Sequence, residues 1–79
     1  MNSTSSAKLQ NIFRAVFDLP ESADVSSIRQ IAEPKWDSLG QVSLMAAIES
    51  EFAVQLDVRD ALRMTSYRAT ELMLADKGL

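Results

Sequence analysis

Two stretches of this 79-residue chain carry apolar residues at helical spacing, and they limit the fold more than any other feature. Over residues 5–18 the apolar side chains recur on one helix face: Leu9, Ile12, Phe13, Val16 and Phe17. A second such stretch covers residues 38–53. Because a chain of this size buries only about 60% of its unfolded surface, both stretches must share one core. We therefore predict a single all-α domain spanning residues 1–79.

Proline marks the end of the first helix and the start of a long connection. The residue before a proline is driven out of the α region, so Leu19 ahead of Pro20 stops the helix. Residues 19–37 then read as a loop that Ile28 and Ile31 anchor to the core. Loops of this length are uncommon in compact domains unless they are functional or partly ordered.

Two further helices complete the predicted fold. The first covers residues 58–64, and the last covers residues 66–76, where Leu72 and Met73 are expected to face the core. The predicted fold is a small antiparallel bundle of three long helices and one short helix. Its long loop joins the first helix to the second.

The composition argues against several classes of function. The chain contains no histidine and no cysteine, so it lacks the commonest general base and any thiolate, and we expect neither an enzyme nor a metal site. Its net charge of −3 argues against nucleic-acid binding, which requires a basic patch. No apolar run approaches the roughly 20 residues that span a bilayer. The first residues lack the pattern of a secretory signal, and we expect a cytoplasmic protein.

Ser38 lies where the loop ends and the second helix begins, in the segment Trp36-Asp37-Ser38-Leu39-Gly40. We expect Asp37 to cap this helix, because its carboxylate can accept hydrogen bonds from the unpaired N–H groups of the first turn. Without a histidine to act as its base, Ser38 is better suited to carry a group than to cleave a bond. On the local sequence alone, a serine that merely begins a helix is the simpler alternative.

The apolar residues of the second helix fall into two groups when they are placed at intervals of about 100°. The group expected to face the core is Leu44, Met45, Ile48 and Phe52. A second group, on a flank turned away from the core, is Leu39, Val42 and Ala46. Single exposed apolar residues are common, but a contiguous patch beside Ser38 favours docking of another protein.

Acidic residues dominate the middle of the chain. Between Trp36 and Val58 there is no Lys or Arg, and the acids are Asp37, Glu49, Glu51 and Asp57. This distribution predicts a negative surface that attracts basic partners at long range, an effect that salt weakens. Glu49 and Glu51 point about 200° apart on a helix, so they cannot share one catalytic site.

The chain resembles the acyl carrier protein family at Asp37-Ser38-Leu39 and in the helix that follows. The matching positions of that helix are Val42, Leu44, Ala47, Ile48, Glu49, Glu51 and Phe52. The resemblance implies that Ser38 is esterified by 4′-phosphopantetheine from coenzyme A, in a reaction of a separate magnesium-dependent phosphopantetheinyl transferase. It also implies that the terminal thiol of this arm carries acyl groups as thioesters between biosynthetic enzymes.

The same resemblance implies roles for the residues around Ser38. Asp37 would contribute to recognition by the transferase as well as capping the helix. Partner enzymes that transfer, synthesise or ligate acyl groups would bring basic docking surfaces to Leu39, Val42, Ala46, Glu49 and Glu51. Ala47 and Leu62 would line a cavity for the acyl group, and the carrier would be a monomer.

Three positions depart from the pattern of many carriers of fatty-acid synthesis. Gly40, Ser43 and Ser50 stand where those carriers have acids. This difference favours a specialised pathway of lipid, polyketide or polysaccharide assembly. Two alternatives stay open at the level of sequence: a carrier of aminoacyl or peptidyl groups, and a helical adaptor that binds proteins without a prosthetic group.

Overall fold

Four α-helices and two short 3₁₀ turns form the regular structure of the computed structural model, which describes residues 1–79. The helices are α1 (Ser3–Phe17), α2 (Ser38–Phe52), α3 (Val58–Arg63) and α4 (Tyr67–Asp76). The 3₁₀ turns, Val25–Ser27 and Gln30–Ala32, lie in the loop between α1 and α2. The prediction of an all-α bundle is confirmed. None of the helices combines the length and the apolarity that crossing a bilayer requires.

Helix α1 begins two residues earlier than predicted because Asn2 caps it. The side-chain oxygen of Asn2 accepts a hydrogen bond from the N–H of Ser5 at 2.8 Å. The helix ends at Asp18, whose backbone is left-handed and whose N–H donates to the carbonyl of Arg14. Between these ends, one apolar face is fully buried: Leu9, Phe13 and Phe17.

Aromatic rings from α1, the long loop and α4 meet in the centre of the core. The ring of Phe13 packs edge to face against Trp36 and Tyr67, at centroid distances of 5.3 and 5.1 Å. Trp36 is buried, and its indole N–H donates to Oε1 of Gln41 at 2.6 Å. Tyr67 is also buried, and this burial raises the pKa of its hydroxyl. The end of the loop is thus fixed against the beginning of α2.

The long loop is anchored by a different pair of residues from the predicted pair. Ile28 packs against the core as predicted, but Ile31 is 88% exposed and Val25 is buried in its place. A 3₁₀ turn has three residues per turn, so Val25 and Ile28 lie on the same side of the chain, whereas Ile31 belongs to a separate turn. The carbonyl of Ile28 also accepts the N–H of Tyr67 at 2.9 Å, which joins the loop to α4.

Helix α4 buries a different face from the one predicted. Its buried residues follow helical spacing: Tyr67, Thr70, Met73 and Leu74. Met73 was predicted correctly, but Leu72 is 63% exposed. Thr70 can occupy the core because its hydroxyl donates to the carbonyl of Ser66 at 2.8 Å. Ser66 also caps α4, since its hydroxyl oxygen accepts the N–H of Ala69 at 3.0 Å.

Helix α3 has six residues and is held by polar contacts at both ends. Asp57 and Asp60 each accept the other's backbone N–H at 3.0 Å, forming a capping box. Asp60 is buried and also binds the ammonium group of Lys77 at 2.9 Å. The Asp57 N–H, followed by the Lys77 ammonium, lowers the pKa of Asp60 from its ordinary value of 3.8. A second ion pair joins Arg63 to Asp76 at 2.7 Å, so α3 is tied to the end of α4.

Candidate functional site

Ser38 is the first residue of α2, and its side chain is exposed. The Ser38 hydroxyl takes part in none of the hydrogen bonds of the chain. A buried or bonded hydroxyl would be closed to a modifying enzyme. The oxygen on which the sequence prediction depends is therefore accessible from solvent.

The first turn of α2 leaves two backbone donors beside Ser38. Asp37 caps the helix as predicted, with its Oδ1 accepting the N–H of Gly40 at 2.8 Å. The carbonyl of Asp37 accepts the N–H of Gln41 at 2.8 Å. The N–H groups of Ser38 and Leu39 have no acceptor within the chain. Unpaired N–H groups at a helix N-terminus favour negative charge, so this position fits a phosphate ester on the serine.

Gly40 allows the loop to pass directly over the first turn of α2. A Cβ atom at this position would overlap the carbonyl oxygen of Lys35 and would lie 3.2 Å from the ring of Phe17. The sequence showed only that an acid is missing at position 40, whereas the structure shows that any side chain there would push the loop away. Gly40 therefore sets the position of the loop that leads into Ser38.

One side of α2 exposes five residues that carry no charge. We call this surface the uncharged face, and its exposed residues are Leu39, Val42, Ser43, Ala46 and Ser50. Leu39 is 75% exposed and Val42 is 63% exposed, so the predicted exposure of this flank is confirmed. Because Leu39 follows Ser38 directly, the uncharged face begins beside the Ser38 hydroxyl.

The acids of this region are engaged within the chain rather than gathered beside Ser38. Two of the four cap helices, as described above. The carboxylate of Glu49 accepts the N–H of Leu56 at 2.8 Å. Glu51 lies on the side of α2 that faces α1, with its carboxylate 4.0 Å from the ammonium group of Lys8. Glu49 and Glu51 therefore point to different neighbours, Leu56 and Lys8.

A hollow of about 630 Å³ opens beside α2, and α3 forms its opposite wall. Its apolar lining is Met45, Leu56, Val58, Ala61 and Leu62. Leu62 thus lines a hollow, as the cavity prediction requires. Ala47 lines a smaller hollow of about 270 Å³ between α1 and α2. The structure does not bring Ala47 and Leu62 to one cavity.

Gln41 is a residue of the site that the sequence prediction missed. Besides accepting the indole N–H of Trp36, it donates from Nε2 to the carbonyl of Ala61 at 3.2 Å. Gln41 thereby joins α2 to the loop and to α3 at the edge of the larger hollow. A signal was present in the sequence, because position 41 precedes the buried Leu44 and Ile48 by three and seven residues on the same helix face.

Comparison with known proteins gives no match to a family model, to a curated protein or to a solved structure. The function of the chain is therefore inferred from the arrangement around Ser38. That arrangement combines a free hydroxyl, a capped helix start with two unpaired N–H groups, and an uncharged face on the same helix.

Proposed function

We propose that the chain is an acyl carrier protein in which Ser38 bears 4′-phosphopantetheine derived from coenzyme A. The observation that carries the proposal is the exposed Ser38 hydroxyl, free of hydrogen bonds, at the capped start of a 15-residue helix. The resemblance of the surrounding sequence to acyl carrier proteins supplies the identity of the attached group. The all-α bundle of four helices fits such a carrier.

The attachment uses one atom of the chain, the Ser38 oxygen. This oxygen forms a bond to phosphorus of coenzyme A, the pyrophosphate linkage breaks, and adenosine 3′,5′-bisphosphate leaves. Since the chain has no histidine, the serine proton passes to a base on the transferase. The N–H groups of Ser38 and Leu39 then face the new negative charge, a contribution of roughly 0.3–1 kcal/mol at an exposed helix start.

When bound, the arm supplies a terminal thiol on which acyl groups are held as thioesters. The chain has no cysteine of its own, so the arm is the source of this chemistry. We assign the acyl chain to the larger hollow, whose wall includes Met45, Ala61 and Leu62. An apolar lining suits an acyl chain because each buried CH₂ group contributes about 0.8 kcal/mol.

The partners that fit this proposal are a phosphopantetheinyl transferase and enzymes that transfer, synthesise or ligate acyl groups. They would contact Leu39, Val42 and Ala46, which are exposed on the helix that begins with Ser38. The missing acids at Gly40, Ser43 and Ser50 favour a specialised pathway of lipid, polyketide or polysaccharide assembly. Loading the holo protein with acyl-activating and aminoacyl-activating enzymes distinguishes an acyl carrier from a carrier of amino acids.

Intact-mass measurement tests the proposal. Coexpression with a phosphopantetheinyl transferase is expected to add one phosphopantetheinyl group to the wild type. Ser38→Ala is expected to abolish the gain. Ser3→Ala is the matched control, because Ser3 is likewise an exposed serine at the first position of a capped helix, and it should keep the gain.

A wild type that stays unmodified, under conditions in which a known carrier is fully converted, would contradict the proposal. That result would favour the second candidate, a helical adaptor without a prosthetic group. The observation that supports an adaptor is the exposure of Leu39 and Val42, which gives α2 an apolar surface whether or not Ser38 is modified.

A further inference from the structure

The charge pattern around Ser38 indicates what kind of surface a partner enzyme presents to this chain. We infer that partners dock on α2 through an uncharged, apolar surface and not through a row of lysines and arginines. This inference rests on the proposed carrier function and specifies the partner surface for the same site. It departs from the expectation of basic docking surfaces drawn from the sequence.

The first reason is the uncharged face itself. A surface helix normally carries charged residues on the side that faces solvent, yet this side of α2 offers only apolar and hydroxyl side chains from Leu39 to Ser50. A lysine or arginine of a partner that packed here would lose its water and gain no opposite charge, which is unfavourable. Apolar side chains of a partner would bury Leu39 and Val42 without that loss.

The second reason is the position of the carboxylates. Glu49, at the border of the uncharged face, already accepts the N–H of Leu56 at 2.8 Å. Glu51 is turned towards α1 and Lys8. Asp37 is committed to its cap at Gly40. The three carboxylates therefore point to different neighbours and do not form a row on the uncharged face.

The third reason is that the apolar character continues on α3. Val58 is 75% exposed and Leu62 is 74% exposed, and both line the larger hollow that Met45 of α2 also lines. The charged neighbour of Val58, Arg59, forms none of the ion pairs of the chain. Its positive charge would repel a basic partner and leaves an uncharged partner unaffected.

The experiment uses the full chain and the phosphopantetheinyl transferase of the same organism as the partner. The quantity measured is kcat/KM for modification of Ser38 at saturating coenzyme A. Val42→Ser is expected to lower kcat/KM by about tenfold, the factor that corresponds to burying a valine side chain. Leu72→Ser is the matched control, since Leu72 has the same 63% exposure on α4, and it should leave kcat/KM unchanged.

Two further measurements distinguish a basic partner surface from an apolar one. Ser43→Asp is expected to lower kcat/KM, because it places a charge in an apolar contact. The wild-type kcat/KM is expected to change by less than about twofold between about 50 and 500 mM NaCl, because the uncharged face contributes no charge to the contact. Circular dichroism and thermal unfolding of each variant show that the fold is kept.

The outcomes separate the inference from the proposed function. A rise of kcat/KM in Ser43→Asp, a steep fall of the wild-type value with salt, or an unchanged value in Val42→Ser would overturn the uncharged docking surface while leaving the carrier function in place. A wild type that the transferase does not modify at all would overturn the carrier function itself.

Discussion

At the start of α2, the carbonyl oxygen of Lys35 occupies the space that a side chain at position 40 would need. Gly40→Ala forces either this loop or the first turn of α2 to move. Because overpacking of this kind costs typically 1–3 kcal/mol, we predict a loss of about that size in the free energy of unfolding. Urea unfolding measures it. Ser43→Ala, at an exposed position of the same helix, should change the free energy by less than about 0.5 kcal/mol.

An unfolding free energy of Gly40→Ala within about 0.5 kcal/mol of the wild type would contradict the close approach of the loop. The result matters for the site because the loop carries Trp36 and Asp37, the residues that precede Ser38. A displaced loop would alter the cap and the position of the Ser38 hydroxyl together.

Individual residues of the site were predictable where their roles depend on local chemistry. Asp37 caps the helix that its carboxylate was expected to cap. The role of Gly40 was not predictable, because it depends on the carbonyl of a residue that only the folded loop brings near. The start of α1 was predicted two residues too late, because asparagine is as good a cap as serine and Asn2 precedes the serines.

At the level of the element, α3 depends on electrostatics more than on apolar packing. Asp60 is buried, and its carboxylate accepts the N–H of Asp57 and binds Lys77. These interactions favour the charged form and lower the pKa of Asp60 below its ordinary value of 3.8. A lowered folded-state pKa means that the stabilisation is fully present above the ordinary value and is lost as the pH falls below 3.8 towards the folded-state pKa.

We predict that Asp60→Asn lowers the free energy of unfolding at neutral pH by about 1–3 kcal/mol, the usual cost of losing hydrogen bonds to a charged group. The variant should also lose less stability than the wild type when the pH falls below 3.8, because the titrating carboxyl is gone. Urea unfolding at neutral and acid pH measures both effects. Asp76→Asn is the control, since its ion pair with Arg63 is exposed and should contribute only about 0–1 kcal/mol.

Equal acid dependence of Asp60→Asn and the wild type would show that Asp60 does not link α3 to α4. An equal loss of stability in Asp60→Asn and Asp76→Asn at neutral pH would show that the buried pair of Asp60 with Lys77 stabilises the fold no more than the exposed pair of Asp76 with Arg63.

The bounds of all four helices lie within two residues of the predicted bounds. For α1 this agreement reflects a single apolar face that repeats over four turns. The prediction of the buried face of α4 was wrong because threonine is polar, and yet Thr70 is buried with its hydroxyl donating to the carbonyl of Ser66. The two 3₁₀ turns of the loop are each three residues long, too short to leave a periodic pattern.

At the level of the whole molecule, the two hollows show what the sequence could not predict. Ala47 lies in α2 and Leu62 lies in α3. Their positions in the sequence do not show whether the two side chains line the same cavity. The structure places Leu62 beside the larger hollow and Ala47 beside the smaller one, on the other side of α2. Which residues share a cavity depends on how α3 packs against α2, and that packing is fixed by contacts distant in sequence, such as Gln41 with Ala61.

Filling each hollow in turn tests where the acyl group of the proposed carrier would lie. Ala61 and Ala47 are both half-buried, and each lines only one hollow. We predict that loading hexanoate on the holo wild type raises the Tm, because the chain buries CH₂ groups worth about 0.8 kcal/mol each. Ala61→Met should remove this rise by filling the larger hollow, and Ala47→Met should keep it. Calorimetry of the holo and hexanoyl forms of each variant measures the difference. A rise that survives in Ala61→Met and disappears in Ala47→Met would place the acyl chain between α1 and α2 instead.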